Sequence, residues 1–319
     1  LQNKDFTNAY RIQYVPNTVS LNNLLFFQTY TMSFGHVLVA CLLNYTMYLQ
    51  NKEFFADYQF SIIHKEERNH ISDLMRLIAC IEKKTLYTIT TGQHYFNNIV
   101  HENLRGRSLE SCKKGVNSLS HCKENPSLTY LPSSCFKRAT KKIKGSIYKK
   151  KADFPKKIAI VKCSDKLNSG CNMNFFNDKK IKYLCNQTGY TYINHYTMKL
   201  KDILNYIYNC EYLLVSWGAT SYFNVFLEKH QTCICFFNQI YLKQIKRHGP
   251  QICLTKELYN YKIINKPFTT ELNNKEISYL ITCVNEITKQ NPTVNNSCHL
   301  SEKYVHDENI MLKHKIASL

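Results

Sequence analysis

Short apolar runs rich in β-branched and aliphatic residues alternate, through the second half of the chain, with segments whose apolar residues recur every three or four positions, and few folds accommodate that pattern. Lys156–Cys163 (KKIAIVKC), Thr191–Tyr196 (TYINHY), Tyr212–Val215 (YLLV) and Thr232–Phe237 (TCICFF) read as strands. Asn177–Asn186 and Met198–Tyr208 read as helices, the second with Leu200, Ile203, Leu204 and Ile207 on one face; Tyr222, Phe223, Phe226 and Leu227 again recur at helical spacing. This β-α-β-α-β-α-β succession predicts a parallel, Rossmann-like sheet, because parallel neighbours need crossover connections and helices supply them.

The first half repeats the pattern less cleanly. Strands are predicted at Leu24–Phe27, Tyr58–Ile63 and Thr85–Thr90, and helices over about His36–Gln50 and Ile71–Ile81, the latter with Leu74, Leu77 and Ile78 inward. The uncharged stretch Leu24–Leu49 is broken by Gln28, Thr29, Ser33, Gly35, His36 and Asn44. It is therefore read as strand, loop and buried helix, since a bilayer-spanning helix needs about 20 predominantly apolar residues. With 319 residues, two domains are expected: an α/β protein of two Rossmann-like halves with mostly parallel sheets. Residues 1–136 form the first, 137–156 a basic linker, 157–290 the second, ending in an amphipathic helix at Ile277–Ile287, and 291–319 a polar tail.

Charge narrows the partners. The 42 Lys plus Arg against 23 Asp plus Glu leave a net +19, a field that attracts polyanions, anionic membranes or phosphorylated small molecules. Ten cations crowd into Lys137–Lys157, read as a solvated linker; no RNP or zinc-finger motif accompanies the 23 Tyr and 17 Phe, so a nucleic-acid partner is disfavoured. The fourteen cysteines include no CxxC pair, which argues against a structural zinc site. Their number, with the sequons at Asn44, Asn186 and Asn295, tilts the compartment toward a secretory lumen, although buried free thiols suit Cys41, Cys80 and Cys210. The chain opens on Leu1, which leaves room for an upstream signal or anchor through which it would reach a membrane.

The stretch Tyr212–Leu227 (YLLVSWGATSYFNVFL) reads as strand, tight turn and helix. Such a turn lies at the carboxyl edge of a parallel sheet, where the first N–H groups of a helix suit an anion such as phosphate. The structural alternative is a helix cap, with Ser216 or Thr220 as N-cap and Gly218 supplying an unusual backbone angle.

No GxGxxG, GxxxxGK[ST], HExxH or GxSxG is present, so dinucleotide, P-loop, zincin and α/β-hydrolase chemistry lack their signatures. SFGHVLVACLLNYTMYL (Ser33–Leu49), KIAIVKCSDKLNSGCNMN (Lys157–Asn174) and SWGATSYFNVFL (Ser216–Leu227) occur in the order and rough spacing of three elements of family 61 glycosyltransferases, which this chain resembles over about Leu24–Phe237. HYFNNIV (His94–Val100) or SCFKRA (Ser134–Ala139) matches a further strand of that family.

The resemblance implies a GT-B architecture of two facing domains, the acceptor nearer the first and a nucleotide-sugar donor, a UDP-sugar by analogy, in the second. It implies an inverting, metal-independent sugar transfer to a glycan or protein hydroxyl, without a cofactor. Donor contacts fall to Lys162, Ser164, Asn174, Ser216, Trp217, Gly218, Ala219, Thr220 and Asn224, and the general base to His36, whose imidazole titrates near neutral pH. A histidine capping its helix is an equal reading of His36.

Four departures stand out: Ala40 replaces an Asp, Trp217-Gly218-Ala219-Thr220 replaces His-Gly-Ala-Gly, Cys163 and Gly170 replace two arginines, and Cys233–Phe237 lacks an acidic residue. A lysine replaces a bidentate arginine poorly. The alternative function is thus a catalytically silent relative that binds glycan or protein.

Overall fold

The computed structural model describes residues 12–15, 20–21, 24–27, 34–63, 69–89, 95–96, 99–100, 133–149, 153–164, 175–239 and 260–289. They fall into two compact units, one made of Leu1–Ala152 with His195–Tyr208 and Pro250–Glu257, the other of the remainder.

In the first unit β1 (Ile12–Val15), β3 (Leu24–Phe27), β4 (Gln59–Ile63), β5 (Leu86–Ile89) and β7 (Ile99–Val100) form a parallel sheet in the order β1-β5-β4-β3-β7; β2 (Ser20–Leu21) pairs separately with β6 (Tyr95–Phe96). Helix α1 (Phe34–Gln50) contains no charged residue and buries Leu38, Cys41, Leu42, Tyr45, Tyr48 and Leu49, more than one face of the helix. A helix apolar on several sides needs cover on several sides. Helices α2 (Asn69–Glu82) and α3 (Ser133–Ile147) both pack against it. Leu74, Leu77 and Ile78 of α2 are buried, as their spacing predicts. The Glu82 carboxylate ties these helices' ends, accepting from Tyr45 Oη at 2.7 Å and Lys52 Nζ at 2.6 Å. Asn44 is fully buried inside α1, so its sequon offers no acceptor in the folded chain. Among the described residues no helix is long and apolar enough to cross a membrane.

The expected basic linker is corrected here. Most of it is helix α3, held by Ala139, Ile143 and Ile147, which recur every four residues and are buried. Four-residue spacing of small and branched apolar residues was masked by the lysines between them. Helix α5 (Leu200–Asn209), expected in the second domain, joins the first unit through Tyr208. Asn205 Oδ1 accepts from Lys149 N at 3.0 Å and Tyr208 meets Tyr148 edge to face.

The second unit carries β8 (Lys157–Ile160), β11 (Thr191–Tyr192), β12 (Tyr212–Ser216), β13 (Thr232–Asn238) and β14 (Asn260–Phe268), all parallel, in the order β11-β8-β12-β13-β14. Strands β12 and β13 are buried along their whole length, the signature of central parallel strands covered on both faces. Ala159, Leu214, Ile234 and Ile264 join one core with Ile181 and Leu184 of α4 (Asp178–Thr188) and Ile277, Leu280 and Val284 of α6 (Asn274–Lys289). A capping box starts α6: Asn273 Oδ1 accepts from Glu276 N at 3.0 Å while Glu276 Oε2 accepts from Asn273 N at 2.9 Å.

Two local readings differ from the sequence. The helix after the turn is a 3-10 helix, Ala219–Phe226, with Phe223 and Phe226 buried. Eight residues at a rise of about 2.0 Å span about 16 Å, the length of a five-residue strand, where an α-helix of eight would reach only about 12 Å. The strand expected at Thr191–Tyr196 stops at Tyr192.

Candidate functional site

Numbered within its own sheet, the second unit has strand order 2-1-3-4-5, with β8 first and β12 third in chain order. The chain leaves β8 toward one side and returns on the other, so β8 and β12 flank the topological switch point, and ligands of open α/β sheets bind outside the carboxyl ends of those strands. The pair runs in register from Tyr212↔Lys157 to Val215↔Ile160. Their carboxyl ends deliver Lys162 and Ser216–Gly218 side by side.

Hydrogen bonds fix the turn and settle where each proton lies. Lys162 N–H donates to Ser216 Oγ at 3.0 Å; Ser216 Oγ and Thr220 Oγ1 are 3.1 Å apart; Thr220 Oγ1 donates to Ser216 O at 2.9 Å. With the Thr220 proton on the carbonyl, the Ser216 proton must lie on Thr220 Oγ1, and each hydroxyl donates once within the turn. Both side chains fasten the turn internally, and neither caps the helix: its N-cap is Gly218, with no side-chain cap hydrogen bond. Ser221 N and Oγ both donate to Gly218 O, at 3.2 and 2.7 Å.

Gly218 has φ +117° and ψ −144°, a region essentially closed to residues with a Cβ, which is why a glycine stands there. The neighbouring Trp217 is buried and its N–H donates to Phe236 O at 2.8 Å, keeping it in the sheet. The N–H groups of Gly218 and Ala219, on half-buried residues, make no hydrogen bond of normal geometry among the described residues. Asn224 is fully buried on the 3-10 helix, inside the unit rather than at its edge.

Lys162 clamps the site through its backbone: besides its N–H on Ser216, its carbonyl accepts from Phe176 N at 2.9 Å. Its ammonium lies 4.2 Å from the centroid of the Phe175 ring, and burial pushes its pKa below the ordinary lysine value. Phe175 was not singled out from sequence; an aromatic two residues before a predicted helix region gives no signal until the strands bring it under Lys162. Ser164 ends the short strand β9 (Cys163–Ser164), which pairs with β10 (Phe176–Asn177). Asn174 lies outside the described residues. His36 stands in the first turn of α1, in the first unit.

The same edge holds a polar cluster that sequence reading missed. Burial, then hydrogen bonding and charge from its neighbours, connects Tyr192, Cys163 and Asp178, and Asp178 is ion-paired with Lys182. Burial raises the Cys163 thiol far above its ordinary pKa, so it is no nucleophile. Cys41, Cys80, Cys163, Cys185, Cys210, Cys233, Cys235 and Cys283 are in no disulfide. Among the described residues no group of three or more His, Cys, Asp or Glu could hold a metal ion.

No protein-family model matches the chain, and no curated protein matches it.

Proposed function

We propose that the second unit binds the diphosphate of a nucleotide sugar at the β8/β12 edge, and that the chain is an inverting, metal-independent glycosyltransferase acting on a glycan or protein hydroxyl. The observation that carries this reading is the pair of N–H groups of Gly218 and Ala219, which donate to nothing among the described residues, at a topological switch point beside Lys162. Oriented backbone N–H groups suit an anion, and they stabilise charge developing on a departing diphosphate without reorganising. Lys162, stacked over Phe175, supplies a point charge. The resemblance assigns the base to His36.

A second reading, a silent relative that keeps the scaffold for binding, is favoured by one observation. The Ser216 and Thr220 hydroxyls have their hydrogens committed inside the turn, leaving the ligand fewer donors than the sequence suggested.

Thermal unfolding with UDP, UDP-N-acetylglucosamine and UDP-xylose tests the binding step. Ligand at about 100 times its dissociation constant stabilises the folded state by about 2.7 kcal/mol, a shift of about 4 °C for a chain of this size. Lys162→Met, which keeps the stem over Phe175, is expected to shrink the shift. UDP release on adding acceptor glycans supports transfer; no shift with any nucleotide ends the transferase reading and leaves the silent relative, whose ligand is a glycan or protein.

A further inference from the structure

The exposed face of α3 carries charge that no acidic group among the described residues balances. Lys137, Arg138, Lys141 and Lys142 are all exposed, while Ala139, Ile143 and Ile147 are buried on the opposite side. At 100° per residue the four cations fall within an arc of about 140°, and along about 8 Å of helix axis. None of the four is ion-paired among the described residues, and Ser133–Ile147 contains no acidic residue. Lys137–Lys141 and Arg138–Lys142 are like-charge pairs at i,i+4, an arrangement that destabilises a helix unless something external offsets it.

We propose that this face docks on an anionic lipid bilayer, independently of any nucleotide-sugar chemistry. Three observations favour a membrane over a nucleic acid. First, the cations lie within one arc of a single helix, continued past its end by exposed Lys149, so a flat surface meets them together. Second, three of the four are lysines, point charges suited to diffuse phosphate attraction rather than forked base recognition. Third, Tyr148, the aromatic beside this face, already holds Lys144 over its ring at 4.8 Å and meets Tyr208 edge to face, so its ring is engaged within the protein. The apolar stripe of α3 faces inward, so the helix lies against headgroups without entering the hydrocarbon. Clusters of four to eight basic residues on a helix recognise anionic lipid in this way.

The test is co-sedimentation of the full chain with phosphatidylcholine vesicles and with vesicles containing about a third phosphatidylserine. Binding is expected only to the anionic vesicles and to fall with rising salt. Each cation removed should weaken partitioning about fivefold, so the quadruple variant Lys137→Gln, Arg138→Gln, Lys141→Gln, Lys142→Gln should lose about a hundredfold or more, and Lys141→Gln with Lys142→Gln about 25-fold. A control with Lys179, Lys201, Lys229 and Lys275, all exposed elsewhere, changed to glutamine removes the same charge and should bind nearly as wild type. Equal loss in the control, equal binding to neutral vesicles, or tighter binding to duplex DNA or RNA than to anionic vesicles at the same salt each overturns the proposal.

Discussion

The turn after β12 and the helix α3 are both rich in polar side chains and handle them in opposite ways. In the turn, Ser216, Thr220, Ser221 and the Lys162 N–H satisfy one another within a few ångströms, and what remains outward is backbone. On the exposed face of α3, Lys137, Arg138, Lys141 and Lys142 find no ion-pair partner among the described residues. Polar residues that close on themselves are architecture, and substitution there should cost stability. Charges left open point to something outside the fold, and substitution there should cost binding instead.

The strongest way to break this contrast is Gly218→Val. A β-branched residue forced to φ +117° should destabilise by about 3 kcal/mol, read from the urea midpoint; a loss within error would mean the turn tolerates other backbone angles and is not a rigid cradle. Ser216→Ala comes next, at about 2 kcal/mol, because it strips the acceptor from a buried Lys162 N–H and the donor from Thr220.

Glu276→Gln extends the closed side of the comparison to pH. Burial pushes the Glu276 carboxyl up, but hydrogen bonds from the Thr269 hydroxyl and N–H and from Asn273 N–H, with Lys266 nearby, outweigh it and hold the group below its ordinary value. Its stabilisation is therefore present above about pH 4.3 and lost as pH falls through the folded-state value. The glutamine variant should be about 1 kcal/mol less stable at pH 7 and show a flatter stability curve in acid. Smallest is Gly145→Ala on α3: an added Cβ meets nothing within 4 Å, so the helix should gain about 0.5–1 kcal/mol.

The same contrast governs what was legible in the sequence. Central strands β8, β12 and β13 announce themselves because strands buried on both faces must be continuously apolar. The edge strand β14 went unread: Lys262, Lys266 and Pro267 interrupt its pattern, and only an edge strand with a register shift at Cys235/Phe237 accommodates that proline. β1, four residues ending before Pro16, is too short for periodicity to register. Helix α3 was hidden by its own lysines. For the site, the positions of Lys162 and Ser216–Gly218 were readable because strand ends are readable; the proton assignments of Ser216 and Thr220, and Phe175 beneath Lys162, depend on contacts between segments far apart in the chain, which no local pattern encodes.

The most direct test of the proposed phosphate cradle uses the fact that the chain has one tryptophan. Labelling tryptophan carbonyls with 13C and glycine amides with 15N selects a single correlation, that of Trp217–Gly218, and titration with UDP follows it alone. The account predicts a saturable downfield shift of the Gly218 amide. An unmoved Gly218 at UDP concentrations that stabilise the protein would put the nucleotide elsewhere and leave the turn as a structural cap.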